Sequence, residues 1–192
     1  MILTGLARPK VNLFLHVTGK REDGYHLLES LVCFPDGIGD RITVSEGASL
    51  SLFETGPFAS RTGCQSQNLV MKAADLLKRE FSVEQGARIL LEKNLPVASG
   101  IGGGSADAAL TLNLLCELWR ISAEKDHLES LAASLGADVP SCLQSRTAMM
   151  QGIGELLSPV EALPEFSILL VNPGITVSTP AVFKALSIPE NQ

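Results

Sequence analysis

A glycine-dense turn, Ser99-Gly100-Ile101-Gly102-Gly103-Gly104-Ser105, separates two segments of opposite character. Before it, Ala87 to Glu92 is apolar and bounded by turn residues, so it reads as a strand. After it, Ser105 to about Trp119 is rich in Ala and Leu with no breaker, so it reads as a helix. Four glycines within five positions leave the backbone free to take positive φ and let its N–H groups converge. Strand, loop and helix N-terminus together present unpaired donors and the positive end of a helix dipole, the arrangement that binds a phosphate.

The turn matches neither of the common phosphate motifs. It has no Gly-Lys-Ser/Thr ending and no internal lysine, and Ser105 stands where a dinucleotide fingerprint starting at Gly100 needs its third glycine. A turn that merely lets a helix pack closely on a strand is the competing reading, and other segments must separate the two.

The rest of the chain is mixed α and β. Lys10 to Val17 alternates, with Val11, Leu13, Leu15 and Val17 on one face and Asn12, Phe14 and His16 on the other, which predicts a half-buried strand. Arg41–Val44 and Ser49–Phe53 predict further strands, joined by turns at Glu46-Gly47 and near Gly56-Pro57. Leu69–Phe81 predicts a helix capped by Asn68, and His127–Leu135 a second one closed by Gly136. Thr179-Pro180 opens a short helix with a capping hydroxyl and a proline in its first turn. Gly56 to Gln67 is polar and turn-rich and reads as a mobile surface loop. The three histidines include His127, a helix residue with no evident chemical company.

Composition narrows the partners. A net charge of −6 argues against nucleic acid, whose phosphates need a basic face. No run approaches 18 apolar residues, so no membrane helix is expected, and no signal-peptide pattern is present, so the expected location is cytoplasmic. Cys33, Cys64, Cys116 and Cys142 lack paired spacing, which indicates reduced thiols, mostly buried, with neither zinc nor a disulfide framework; no metal site of the chain's own is expected.

Three segments taken together carry a family resemblance: ARPKVNLFLHVTGKREDGYHLLESL (7–31), LPVASGIGGGSADAA (95–109) and SLGADVP (134–140). With QNLVMKAADLL (67–77), GIGELLSPV (152–160) and NPGITVSTPAVFKAL (172–186), the chain resembles the GHMP small-molecule kinases over nearly its whole length. The N-terminal block, PKVNLFLHVTG with DGYH, is similar to the branch acting on 4-diphosphocytidyl-2-C-methyl-D-erythritol. The resemblance implies an α+β fold: a GHMP kinase N-terminal domain, ribosomal protein S5 domain 2-like, over residues 1–160. Residues 161–192 are then the first strand, Ser167–Val171, and first helix of a ferredoxin-like C-terminal domain. A strand without its sheet partners exposes an apolar face, so aggregation, irregular packing or a homodimer through this segment is expected.

The same resemblance implies ATP with Mg²⁺ as phosphoryl donor and assigns the site. Asp138 is the base and Lys10 its electrostatic partner, although an Asp after Gly136 also makes a good helix cap and a lone Lys entering a strand is ordinarily solvated. Pro96, Val97, Ala98, Ser99, Gly100, Ile101, Gly102, Gly103, Gly104, Ser105 and Ala106 wrap the phosphates, and Asn68 and Lys93 contact adenine. Tyr25 stacks on the cytosine ring with Phe183 on its other side, and His26 bonds the base edge; without the resemblance, Tyr25-His26 reads as a surface turn. Asn12, Thr179 and Lys184 complete the substrate set. Two alternatives stand beside this reading: a GHMP kinase for another small alcohol such as mevalonate or homoserine, and a non-catalytic nucleotide-binding remnant.

Overall fold

The computed structural model describes residues 1–161, 163–175, 177 and 179–186. Two four-stranded sheets carry the fold. The first has the order β1-β4-β6-β5, from β1 (Ile2–Ala7), β4 (Asp40–Gly47), β6 (Gly86–Glu92) and β5 (Ser51–Thr55). The second has the order β2-β3-β7-β8, from β2 (Val11–Lys20), β3 (His26–Cys33), β7 (Ala148–Gly152) and β8 (Leu156–Pro159). Five α-helices complete it: α1 (Leu69–Glu80), α2 (Gly103–Leu118), α3 (Lys125–Leu135), α4 (Val139–Gln144) and α5 (Thr179–Ala185).

The core lies between the inner face of the first sheet and α1 and α2. Ile42, Val44, Ile89 and Leu91 of the sheet and Val70, Leu77, Leu112 and Leu115 of the helices are all buried. Helix α2 is apolar on nearly every side because it is enclosed, by α1, by β1 and β4, and by α4. Small residues Ala106, Ala108 and Ala109 open it and let it sit close to the sheet.

The glycine-loop unit is as expected: β6 leads into the loop and α2 leaves it. Helix α1 begins after Asn68, whose side-chain oxygen accepts from the N–H of Val70. The strands around residues 41 and 51 are present but are not neighbours. β6 lies between them, antiparallel to β4 and parallel to β5. Residues 56–67 carry two turns of 3₁₀-helix, Ala59–Arg61 and Gln65–Gln67.

Two expectations are corrected. Strand β2 does not bury the face predicted for it: Leu13 and Leu15 are exposed. The register shifts between Asn12 and Phe14 and again between Val17 and Gly19, and a bulge reverses the faces that follow it. The buried hydroxyl of Ser30 holds the first irregularity, donating to the Phe14 carbonyl at 2.5 Å. Gly136 closes α3 as expected, its backbone extended at φ 162°. Residues 167–171 form no strand. Among the described residues they pair with no sheet, and Leu169 and Val171 are 87% and 84% exposed. With no partner strand among the described residues, this apolar segment has no ladder to join. The chain after it is tethered where the Val177 N–H donates to the Ala98 carbonyl, at 3.3 Å.

Candidate active site

The glycine loop, the N-terminal end of β2, the start of α4 and helix α5 converge on one cavity of about 1040 Å³. Its volume is at the upper end of small-molecule sites. At its centre, Lys10 Nζ donates to Asp138 Oδ1 at 2.6 Å, joining residues 128 positions apart. Lys10 is buried, whereas the Asp138 side chain is 44% exposed and lines the cavity. Asp138 stands at the N-cap position of α4, yet its carboxylate makes no capping bond there. The carboxylate is turned to the lysine, so the capping alternative does not account for it.

The loop is built onto this pair. The backbone N–H of Lys10 donates to the Ile101 carbonyl at 2.8 Å. Gly102 has φ +65°, and a Cβ there would lie 3.3 Å from Lys10 Cβ; a side chain would be strained and would push on the lysine. Pro96–Gly100 and Gly102–Ser105 line the cavity. Ile101 and Ala106 do not: the first contributes its carbonyl to Lys10, and the second is buried under the first turn of α2. Helix α2 has no side-chain cap, and its N-cap residue, Gly102, offers none. Its first N–H groups belong to Gly103, Gly104 and Ser105, residues that line the cavity. Uncapped donors at the positive end of a helix of 16 residues fit a polyphosphate.

At the other end, His26 packs against Phe183, with ring centroids 5.2 Å apart. Tyr25 is 59% exposed and also lines the cavity. Asn12 lines it too, its side-chain amide 3.1 Å from Ser30 Oγ. Lys184 lies on the wall beside Phe183. The Thr179 side chain is outside the described part of the structure.

Asn68 and Lys93 line the cavity with their side chains engaged. The Asn68 amide donates to Glu54 at 2.8 Å as well as capping α1. Lys93 Nζ donates to Asp107 Oδ2 at 2.8 Å and to Asp40 Oδ2, and all three side chains are buried. Burial, reinforced by Asp40, pushes the Asp107 carboxyl up against the opposing pull of Lys93, to about 8. Burial alone would lower Lys93, but the two carboxylates outweigh it and raise it.

Two groups of site residues escape the sequence reading. Asp40 and Asp107 are one; the legible signal was that Asp107 is the sole ionisable side chain between Gly102 and Cys116, and an acid on an enclosed helix needs a partner. Lys20 is the other. It pairs with His26 across the β2–β3 hairpin, which puts the two side chains on one face, and it lines the cavity. Among the described residues neither Lys20 nor Lys184 enters an ion pair with a carboxylate. Outside the cavity, His127 has company after all, with Nε2 2.8 Å from Glu80 Oε1 and its ring against Phe81.

Among the described residues no three His, Cys, Asp or Glu side chains form a metal cluster. None of their helices is long and apolar enough to cross a membrane.

Comparison with known proteins bears on the whole chain. Residues 68–146 match the model of the GHMP kinases N terminal domain. The chain is 53% identical over 191 residues to the 4-diphosphocytidyl-2-C-methyl-D-erythritol kinase of Ruegeria pomeroyi, covering 100% of this chain and 66% of that protein. It is 55% identical to the enzyme of the same name from Paracoccus denitrificans, over 96% of this chain and 61% of that one. A crystal structure of 4-(cytidine 5'-diphospho)-2C-methyl-D-erythritol kinase superposes with a TM-score of 0.78 at 38% identity, over 98% of this chain and 67% of that one. The chain thus spans about two thirds of the length of the relatives it matches.

Proposed function

Since this chain belongs to the GHMP kinase family, among the 4-diphosphocytidyl-2-C-methyl-D-erythritol kinases, we propose that the whole protein phosphorylates the 2-hydroxyl of 4-diphosphocytidyl-2-C-methyl-D-erythritol with ATP. The observation that carries this reading is the Lys10–Asp138 pair, set between a glycine loop on one side and an aromatic end on the other, within one cavity. The same reading extends to a role in non-mevalonate isoprenoid precursor synthesis and to a cytoplasmic location, with the family membership as its support.

In the proposed step Asp138 accepts the hydroxyl proton as the substrate oxygen bonds to the γ-phosphorus. The bond from that phosphorus to the bridging oxygen of ADP breaks, and ADP leaves with the electron pair. Lys10 Nζ, 2.6 Å from the base, stabilises the negative charge that develops between hydroxyl and phosphoryl group. The N–H groups of Gly103, Gly104 and Ser105 hold the polyphosphate. Mg²⁺ needs only one or two protein ligands when phosphates supply the rest, so the lack of a carboxylate cluster among the described residues fits it. Bound with the nucleotide, it would neutralise phosphate charge, and Ser105, which lines the cavity, would help to hold it.

Substrate choice rests on the other end. Tyr25, His26 and Phe183 give a nucleobase an aromatic surface, which an acyclic alcohol does not use. Lys20 and Lys184 supply two cations for a diphosphate. Residues 1–160 form the nucleotide-binding and catalytic domain, and 161–192 begin a second domain. The exposed Phe166, Leu169, Val171 and Ile175 support this, as apolar residues for the longer chain to bury.

The test is to assay ADP formation by the full-length protein with the cytidine diphosphate alcohol, mevalonate and homoserine in parallel. Turnover confined to the first is expected. Turnover of the acyclic alcohols alone would return the choice to another GHMP kinase, and none at all would favour the non-catalytic alternative. Tyr25→Ala is expected to weaken binding of the cytidine substrate by about 1–3 kcal/mol, the scale of one aromatic–base stack, and to leave ATP binding unchanged.

A further inference from the structure

The buried charges beneath the glycine loop have no part in the proton transfer, and their geometry explains what they do instead. Asp40 stands at the start of β4, opposite Ala7 of β1. Its Oδ1 accepts from the N–H groups of Asn94 and Leu95, at 2.6 and 2.8 Å, where the chain leaves β6 for the loop. Its Oδ2 accepts from Lys93 Nζ and lies 3.7 Å from the position of a Cβ on Gly103, the first residue of α2. Lys93 Nζ also donates to Asp107 Oδ2, one turn into α2 where the loop has ended. Entry and exit of the loop are therefore cross-braced through one ammonium group. Asp107 Oδ1 is buried without a hydrogen-bond partner, so its carboxylate is held chiefly from the lysine side. An ammonium shared between two buried carboxylates is costly to assemble unless its geometry is maintained.

We propose that Asp107 is a positioning residue for the nucleotide: through Lys93 and Asp40 it fixes the end of the glycine loop against its beginning, so that the N–H groups of 103–105 are aimed before the phosphates arrive. The lysine's ammonium then serves the loop and not the adenine ring. This rests on the reading of the cavity as an ATP site. Preset donors need no reorganisation on binding, so loosening the brace weakens the nucleotide selectively. The alcohol end of the cavity and the Lys10–Asp138 hydrogen bond lie outside the brace, because neither involves Asp107.

The experiment uses the full-length protein, with ATP binding by calorimetry and steady-state kinetics against each substrate. For Asp107→Ala, the expected result is a weakening of ATP binding by roughly tenfold to a hundredfold, the scale for a binding group displaced by about an ångström. KM for ATP should rise in step, while KM for the alcohol and kcat stay within about twofold of the parent. Asp107→Asn should restore most of the affinity, since its amide oxygen still accepts from Lys93. Asp107→Ser, too short to reach the lysine, takes the place of the alanine variant if that one does not fold. A folded Ala or Ser variant that binds ATP like the parent overturns the inference, as does an Asn variant no better than either, or an equal rise in both KM values. Failure of the unmutated protein to bind ATP would overturn the ATP reading itself, and the inference with it.

Discussion

Lys10 and Lys93 stand in the same cavity, both buried and both paired with aspartate, yet they face opposite demands. Lys10 has one carboxylate partner, Asp138, and that partner is open to the cavity. Lys93 has two, Asp40 and Asp107, both sealed from solvent. A group that takes a proton from a substrate must be reachable. A group that holds a loop in place gains from being dry, because a low dielectric strengthens its hydrogen bonds and penalises any departure from them. Similar residue types thus serve as chemistry at the cavity wall and as framework beneath it.

The comparison breaks most visibly in stability. Lys93→Met leaves the Asp40 and Asp107 carboxyl groups buried without their cation, and the expected loss is about 3–5 kcal/mol at neutral pH, read from urea unfolding. A loss below about 1 kcal/mol would mean that the cluster is hydrated and does not act as a dry brace. Next in size comes Asp138→Asn, which keeps the shape and removes the proton acceptor. Phosphoryl transfer should fall by at least about a hundredfold with folding little changed. Near-normal turnover in the asparagine variant would remove Asp138 from the chemistry.

A third expectation concerns pH. The Asp107 carboxyl is raised to about 8 from an ordinary value of 3.8, so between those limits the native state holds a proton that the unfolded chain releases. Native proton uptake exceeds that of the unfolded state there, and stability falls as pH rises through this window. Asp107→Asn removes the titrating group and should flatten that decline in urea midpoints measured across the range. An unchanged slope would assign the titration elsewhere. The smallest effect belongs to an exposed pair outside the cavity: His127→Ala breaks the contact with Glu80 and should cost less than about 1 kcal/mol. A larger loss would show that surface pairs here count as much as buried ones.

Much of the fold was legible because local physics writes it into the residue order. The β6–loop–α2 unit and the Asn68 cap on α1 depend on neighbours in sequence: glycine freedom and a capping amide. The faces of β2 were not legible. Its alternation is regular on paper, but bulges near Leu13 and Thr18 reverse it, and the Ser30 hydroxyl that holds the first comes from another strand. The insertion of β6 between β4 and β5 is likewise a long-range pairing that no local pattern announces. The apolar run at 167–171 shows the converse, since strand composition without an available partner edge yields no strand.

The sequence by itself determined that this chain places a glycine-rich loop between a strand and a helix. The motifs around Lys10, Tyr25 and Asp138 were enough to indicate the family, because each is a short run whose chemistry survives without coordinates. Only the tertiary structure decided what those residues do to one another. It turned Asp138 from a helix cap to the partner of a lysine 128 positions away, and it recruited Asp40 and Asp107, anonymous in the sequence, to one ammonium group. The reason is physical: glycine freedom and helix propensity act over a few residues, whereas an ion pair takes its strength from distance and burial, which exist only once the chain has folded.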